Sequence, residues 1–209
     1  FVVLDTAPTG HTVLLLDATG ALLGEITGTA TLAPGGVFDG TGSFSTTGLL
    51  PDTYLAVLIA SPAEGIEKTL ASAVLTVVNV PPDCSAVAAT PADLWPPNHR
   101  LVDVALQGVT DPDGDPVTVT VTGVFQDEPV EQTGDGAFCP DATGTGTSAV
   151  KLRAERAGRG DGRVYHIGFR ADDGRGGTCE GVATVCMPRD QSRPECVDQG
   201  PLFDATTCP

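Results

Sequence analysis

Three carboxylates alternate in Thr110-Asp111-Pro112-Asp113-Gly114-Asp115-Pro116, around a tight bend that Gly114 permits. Alternate positions of such a turn can converge on one ion. Calcium takes six to eight oxygens at ~2.3–2.6 Å and accepts irregular geometry. Asp111, Asp113 and Asp115 would therefore serve as ligands together with backbone carbonyls and acids from a neighbouring loop. The run is not an EF-hand, since no Glu lies at the required offset and no helices flank it. The competing reading is an Asp-rich hairpin turn, because Asp-Gly is also a common short turn between strands. Further acids stand in Gln126-Asp127-Glu128-Pro129, Gly134-Asp135-Gly136, Asp141, Asp161 and Ala171-Asp172-Asp173-Gly174. Some can complete an ion's shell and others are loop residues.

Paired acids are also what a glycosidase uses, but nearly all of these sit in Gly/Pro turns rather than in an apolar pocket that could raise a pKa. Asn98-His99 has no Cys or Ser with nucleophile context, and His11 and His166 stand alone in strand patterns. His99 therefore reads as a neutral, hydrogen-bonded structural residue. The chain lacks G-x-S-x-G, H-E-x-x-H, a P-loop and a Rossmann glycine pattern. No catalytic or cofactor-binding residue is assigned apart from the three aspartates. Trp95 reads as a core plug, with an exposed platform for a sugar or partner side chain as the alternative. Arg159-Gly160-Asp161 spells the integrin tripeptide but sits among glycines and reads as a hairpin tip; Glu155-Arg156 reads as alternating across a strand in cross-strand ion pairs.

Strands must position these residues. Val2–Leu4, His11–Leu16, Ala21–Ile26, Gly42–Thr46, Thr53–Ala60 and Ala71–Val80 are short, rich in Val, Leu and Thr, and separated by Gly, Pro, Asp and Ser. Pro62–Leu70 offers one weak helical turn, interrupted by Gly65. Pro81-Pro82 withhold backbone donors, which places a domain boundary there. A second series follows at Ser85–Ala89, Arg100–Gln107, Pro116–Val124, Ser148–Glu155, Arg163–Ala171 and Thr178–Met187. Val117 to Thr122 alternates valine and threonine, the pattern of a half-buried strand. The expected fold is all-β, with two tandem immunoglobulin-like β-sandwich domains: residues 1–80 without cysteine, and 81–209 disulfide-bonded with a polar C-terminal tail.

The composition of 41% hydrophobic residues, with 26 Gly and 17 Pro, is that of a folded, turn-rich chain. A net charge of −16 repels phosphate backbones and anionic lipid, which argues against a nucleic-acid partner and makes a divalent cation worth seeking. No segment is long and apolar enough to span a bilayer. Beginning at Phe1, the sequence reads as a processed chain or a fragment. The six cysteines include no C-x-x-C pair, which favours disulfides and an extracellular or cell-surface location. They allow fifteen connectivities. Cys179 and Cys186 lie an odd number of residues apart on one expected strand, so they should face opposite sides and take different partners.

Pro82-Asp83-Cys84-Ser85 through Leu94-Trp95-Pro96-Pro97-Asn98-His99-Arg100 resembles the LWPPNHK-type Ig-like module of secreted bacterial proteins. The likeness continues in order through Val109–Pro116, Gln126–Pro129, Gly134–Gly136, Pro140–Ala142, Arg153–Arg156 and Asp161–Tyr165, and covers Pro81 to Asp204. Its Asp111–Asp115 run is similar to the turns of cadherin-like bacterial repeats, which implies calcium. After Gly134-Asp135-Gly136 the family's usual pattern carries another Asp and a small hydroxyl residue, whereas this sequence has Ala137, Phe138 and Cys139. The resemblance implies the pairs Cys84–Cys179 and Cys186–Cys196, and with them Cys139–Cys208.

Two functions follow as expectations. One is a non-catalytic structural or adhesive surface protein, stiffened by disulfides and calcium, whose Phe1-Val2-Val3-Leu4 segment could add to a neighbouring copy's sheet and build a filament. An ordinary first strand pairing within its own domain is the plainer reading of that segment. The other function is a spacer or substrate-binding accessory module of a larger secreted hydrolase. Partners would be the chain itself, another surface protein or a glycan.

Overall fold

Short runs of β-branched and aliphatic residues, punctuated by Gly, Pro and Asp, leave the chain little choice but extended segments joined by turns. The computed structural model describes residues 2–3, 8–31, 36–37, 49–62, 68–131, 134, 136, 138–192 and 195–209. Among them the architecture is all-β and contains no helix. None is therefore long and apolar enough to cross a membrane. The chain divides into two units, Phe1–Asn79 and Val80–Pro209.

In the first unit, β1 (Val2–Val3) pairs with β4 (Gly36–Val37). The strands β2 (Pro8–Leu16), β3 (Leu22–Thr31), β5 (Asp52–Pro62) and β6 (Lys68–Val77) form an antiparallel sheet in the order β3-β2-β5-β6. The β2–β3 turn is closed by Asp17, whose Oδ1 accepts the N–H groups of Thr19 and Ala21. The Thr19 hydroxyl foremost, and then these N–H groups, hold its carboxyl below the usual range. The expected strand at Gly42–Thr46 and most of the helical turn expected at Pro62–Leu70 lie outside the described residues.

The second unit holds β7 (Ala88–Thr90), β8 (Leu101–Gln107), β9 (Thr118–Gln126), β10 (Ala142–Thr143), β11 (Val150–Arg153), β12 (Arg163–Asp172), β13 (Thr178–Met187) and β14 (Phe203–Asp204). Two antiparallel sheets, β10-β11-β8-β7 and β13-β12-β9-β14, share one apolar core in a sandwich-like arrangement. Val104, Val150 and Leu152 enter that core from the first sheet. Val121, Val124, Tyr165, Ile167 and Val185 enter from the second. Strict alternation would turn Val121 and Val124 to opposite faces. A bulge resolves this: Gly168 pairs with Gly123 and Phe169 with Val121, which leaves Thr122 as the extra residue and both valines inward.

Three disulfides bind this unit: Cys84–Cys179, Cys139–Cys208 and Cys186–Cys196. Cys179 and Cys186 both lie on β13 and take different partners. The polar tail is part of the fold. There β14 pairs with the end of β9, and the buried Ala205 donates to the Val124 carbonyl and accepts from the N–H groups of Asp141 and Ala142. Trp95 departs from expectation. Neighbouring side chains of an extended segment point opposite ways, so Leu94 is the residue that plugs the core, at 1% exposure, and Trp95 is 43% exposed.

Candidate functional site

Two groups of acidic residues in the second unit differ in how their oxygens are satisfied. The first surrounds Arg163, the first residue of β12. Arg163, Tyr165, Ile167, Phe169 and Ala171 share the buried face of that strand, so a guanidinium enters the core where an aliphatic side chain would otherwise stand. A buried cation needs anionic partners. Arg163 finds Asp141 (Nη1 to Oδ2, 2.7 Å), Glu128 (Nε to Oε2, 3.2 Å) and Glu155 (Nη1 to Oε1, 3.5 Å). It also donates to the Tyr165 hydroxyl and the Pro129 carbonyl.

Supporting bonds hold these partners in turn. Gln126 Nε2 donates to Asp141 Oδ2 at 2.8 Å, the Ala157 N–H donates to Glu128 Oε2 at 2.7 Å, and the Tyr165 hydroxyl donates to the Arg153 carbonyl at 2.8 Å. His99 Nδ1 lies 3.0 Å from Glu155 Oε2. Arg153 donates to the carbonyls of Pro140 and His99 and closes the edge of the centre. His99 itself has φ of 62°, an uncommon conformation fixed from both sides by the Ala154 carbonyl and the Arg153 guanidinium. Phe138 covers its ring at a centroid distance of 5.0 Å.

Burial, reinforced by a hydrogen bond and like charge from Asp141, pushes the Glu155 carboxyl up to about 8. A protonated Glu155 lowers the excess of negative charge over guanidinium here. The sequence expectation that the acids avoid a pKa-raising environment is therefore corrected for Glu155. A raised carboxyl beside a second one is what general acid catalysis uses. The Glu155 side chain, however, has no exposed surface. The expected pairing of Glu155 and Arg156 across a strand is also corrected. β11 ends at Arg153, Glu155 turns inward, and Arg156 donates to the carbonyls of Ala157, Pro188 and Arg189.

Glu128 and its neighbour Asp127 also border an open cleft of about 840 Å³, whose lining includes Arg159, Gly160, Asp161 and Gln199. Gly160 is there because Glu128 Oε1 lies against it, so a Cβ would collide with a carboxylate that the Ala157 N–H and Arg163 hold in place. Asp161 accepts from Gln199 Nε2, and Asp127 Oδ1 accepts the Val164 N–H at 2.8 Å.

The second group is the turn between β8 and β9. Asp83 and Thr110 exchange backbone hydrogen bonds at its base, and Gly114, at φ of 80°, donates to the Asp111 carbonyl. Asp111 Oδ1 accepts the N–H groups of Asp113 (2.9 Å) and Asp115 (3.2 Å), which folds the run around its own first carboxylate. Asp113 Oδ2 accepts the Val80 N–H at 2.7 Å, and Asp115 Oδ1 pairs with Arg175 Nη2 at 3.0 Å. Of the remaining oxygens, Asp111 Oδ2 and Asp115 Oδ2 are buried and carry no hydrogen bond.

One carboxylate oxygen from each of Asp111, Asp113 and Asp115 lies within 4.8 Å of the others. That is about the distance between opposite ligands of an ion bound at ~2.4 Å. The donor set, all carboxylate oxygen, suits a hard divalent cation. Among the described residues no other His, Cys, Asp or Glu joins the group. Of the acids that are candidates to complete the shell, Asp172 and Asp173 cap their own backbone, and their loop sets Arg175 against Asp115. Asp135 lies outside the described residues. Glu128, Asp141 and Glu155 serve Arg163.

Sequence reasoning assigned no role to Arg163. The signal was present, because the two-residue period of β12 counts it with Tyr165 and Ile167 on the inward face.

Comparison with protein families and with curated proteins returns no match to the chain. The class defined by fold and site is that of an all-β, disulfide-bonded protein with a buried ion centre and a separate carboxylate turn.

Proposed function

We propose that this chain is a non-catalytic, extracellular structural or adhesive protein of two tandem immunoglobulin-like modules, stiffened by its disulfides and by calcium at Asp111, Asp113 and Asp115. The observation that carries this reading is the enclosure of Glu155, an acid with a raised carboxyl, within the chain's own architecture. Glu155 is wholly buried between His99, Arg163 and Asp141, where no substrate reaches it. Its chemistry serves to hold the strands together. At the Asp111–Asp115 turn two buried carboxylate oxygens without a hydrogen bond stand in a cluster of three acids, which suits a stabilising ion.

The pairing of Val2–Val3 with Gly36–Val37 favours a spacer or accessory module over a fibre subunit, since strand addition to another copy would have to break that pair. Negative-stain electron microscopy of the purified chain in calcium buffer separates the two. Dispersed particles are the expected result, and regular filaments would overturn the spacer version in favour of self-assembly. In either case the partner is another surface protein, a glycan or a second copy.

A further inference from the structure

The loop between β12 and β13 is fixed by its own carboxylate. Asp173 Oδ1 accepts the N–H groups of Arg175 (2.7 Å) and Gly177 (2.9 Å), with Gly174 and Gly176 supplying the positive φ angles the bend requires. From this loop the Arg175 side chain reaches the Asp111–Asp115 turn and sets Nη2 3.0 Å from Asp115 Oδ1. Only 21% of the arginine side chain and 5% of the aspartate side chain meet solvent, so this is not a loosely held surface pair screened by water.

We propose that Arg175 sets the affinity of the carboxylate turn: its guanidinium shares Asp115 with the bound divalent cation and weakens that binding. The inference rests on the cation reading of the turn given above. Two effects act in the same direction. The guanidinium occupies one oxygen of a ligand that could otherwise bind through both, and its fixed charge repels the incoming ion. Asp115 Oδ2, with no hydrogen bond of its own, remains for the ion. The result is a site adjusted to the higher calcium levels outside cells, where a full set of unopposed carboxylates is not needed.

The test is isothermal titration of the full chain with calcium chloride, for the wild type and for Arg175→Gln, Arg175→Met and Arg175→Lys. The loop backbone is held by Asp173 rather than by the arginine side chain, so these variants should fold, which circular dichroism checks. Both charge-removing variants should bind calcium about tenfold more tightly. That is the size expected for one like charge about 6 Å from a divalent ion under the full screening of bulk water, so the partial burial of the pair makes about tenfold the smallest gain expected. Arg175→Lys should stay within about threefold of the wild type. If the wild type binds and both charge-removing variants bind equally or more weakly, the role given to Arg175 is wrong. If none of the four proteins binds calcium, the cation reading of the turn falls first and the inference with it.

Discussion

The acids around Arg163 and the acids of the Asp111–Asp115 turn are similar in number and opposite in condition. Glu128, Asp141 and Glu155 surround a guanidinium with no exposed surface and form one network with Gln126, Tyr165 and His99, in which Asp141 Oδ1 accepts no hydrogen bond but lies 3.5 Å from Arg153 Nε. Asp111, Asp113 and Asp115 lie nearer solvent, bend a loop, and leave two buried oxygens without a hydrogen bond. A count of carboxylates does not separate these cases. What separates them is whether a cation of the chain's own occupies the centre: Arg163 does so among its three carboxyls, whereas Arg175 meets the turn at Asp115.

The largest break in this comparison should come from Arg163→Met. It leaves three buried carboxyls without their central cation, and removing one partner of a buried ion pair costs about 3–5 kcal/mol. Urea denaturation would show it, and a loss under about 1 kcal/mol would mean that Arg163 is not the keystone of the second unit.

Next comes the pH dependence of Glu155. Its carboxyl titrates near 8 when folded against 4.5 ordinarily, so between those values the folded state holds a proton that the unfolded state has released. This contribution to stability is complete below about pH 4.5, falls as pH rises toward about 8, and is flat beyond. Glu155→Gln, which keeps the shape without the titration, should show a shallower decline over that window in denaturation midpoints. Equal slopes would place the proton elsewhere.

The smallest effect should come from Lys151→Ala. Its 2.6 Å pair with Asp103 is well exposed on both sides, and such pairs are worth about 0–1 kcal/mol. A cost matching that of Arg163→Met would erase the distinction between buried and exposed ions drawn here.

Much of this was legible in the chain. Alternating valine and threonine marked β9, the Asp/Gly run marked the turn, and the cysteine spacing pointed to disulfides rather than a metal site. Long-range pairing was not legible. Nothing near Arg175 in sequence says that it meets Asp115, and Glu155 reads as an ordinary strand acid until the fold brings Asp141 and His99 to it. Trp95 was misread because size argued for burial, whereas the direction of the backbone gave the core to Leu94. Local pattern determines which residues alternate, but the partners of a buried charge come from separate segments at the ends of different strands.

The most direct test of the difference between the two acidic groups is thermal melting of the full chain with and without millimolar calcium, beside Asp111→Asn. Asparagine can still accept the N–H groups of Asp113 and Asp115 through its side-chain oxygen, so the variant keeps the turn and loses the charge. Calcium at about ten times its dissociation constant adds about 1.4 kcal/mol, which should raise the wild-type melting temperature by a few degrees and leave Asp111→Asn nearly unmoved. Identical melting with and without calcium, or an equal rise in the variant, would contradict the assignment of the open valences to this turn.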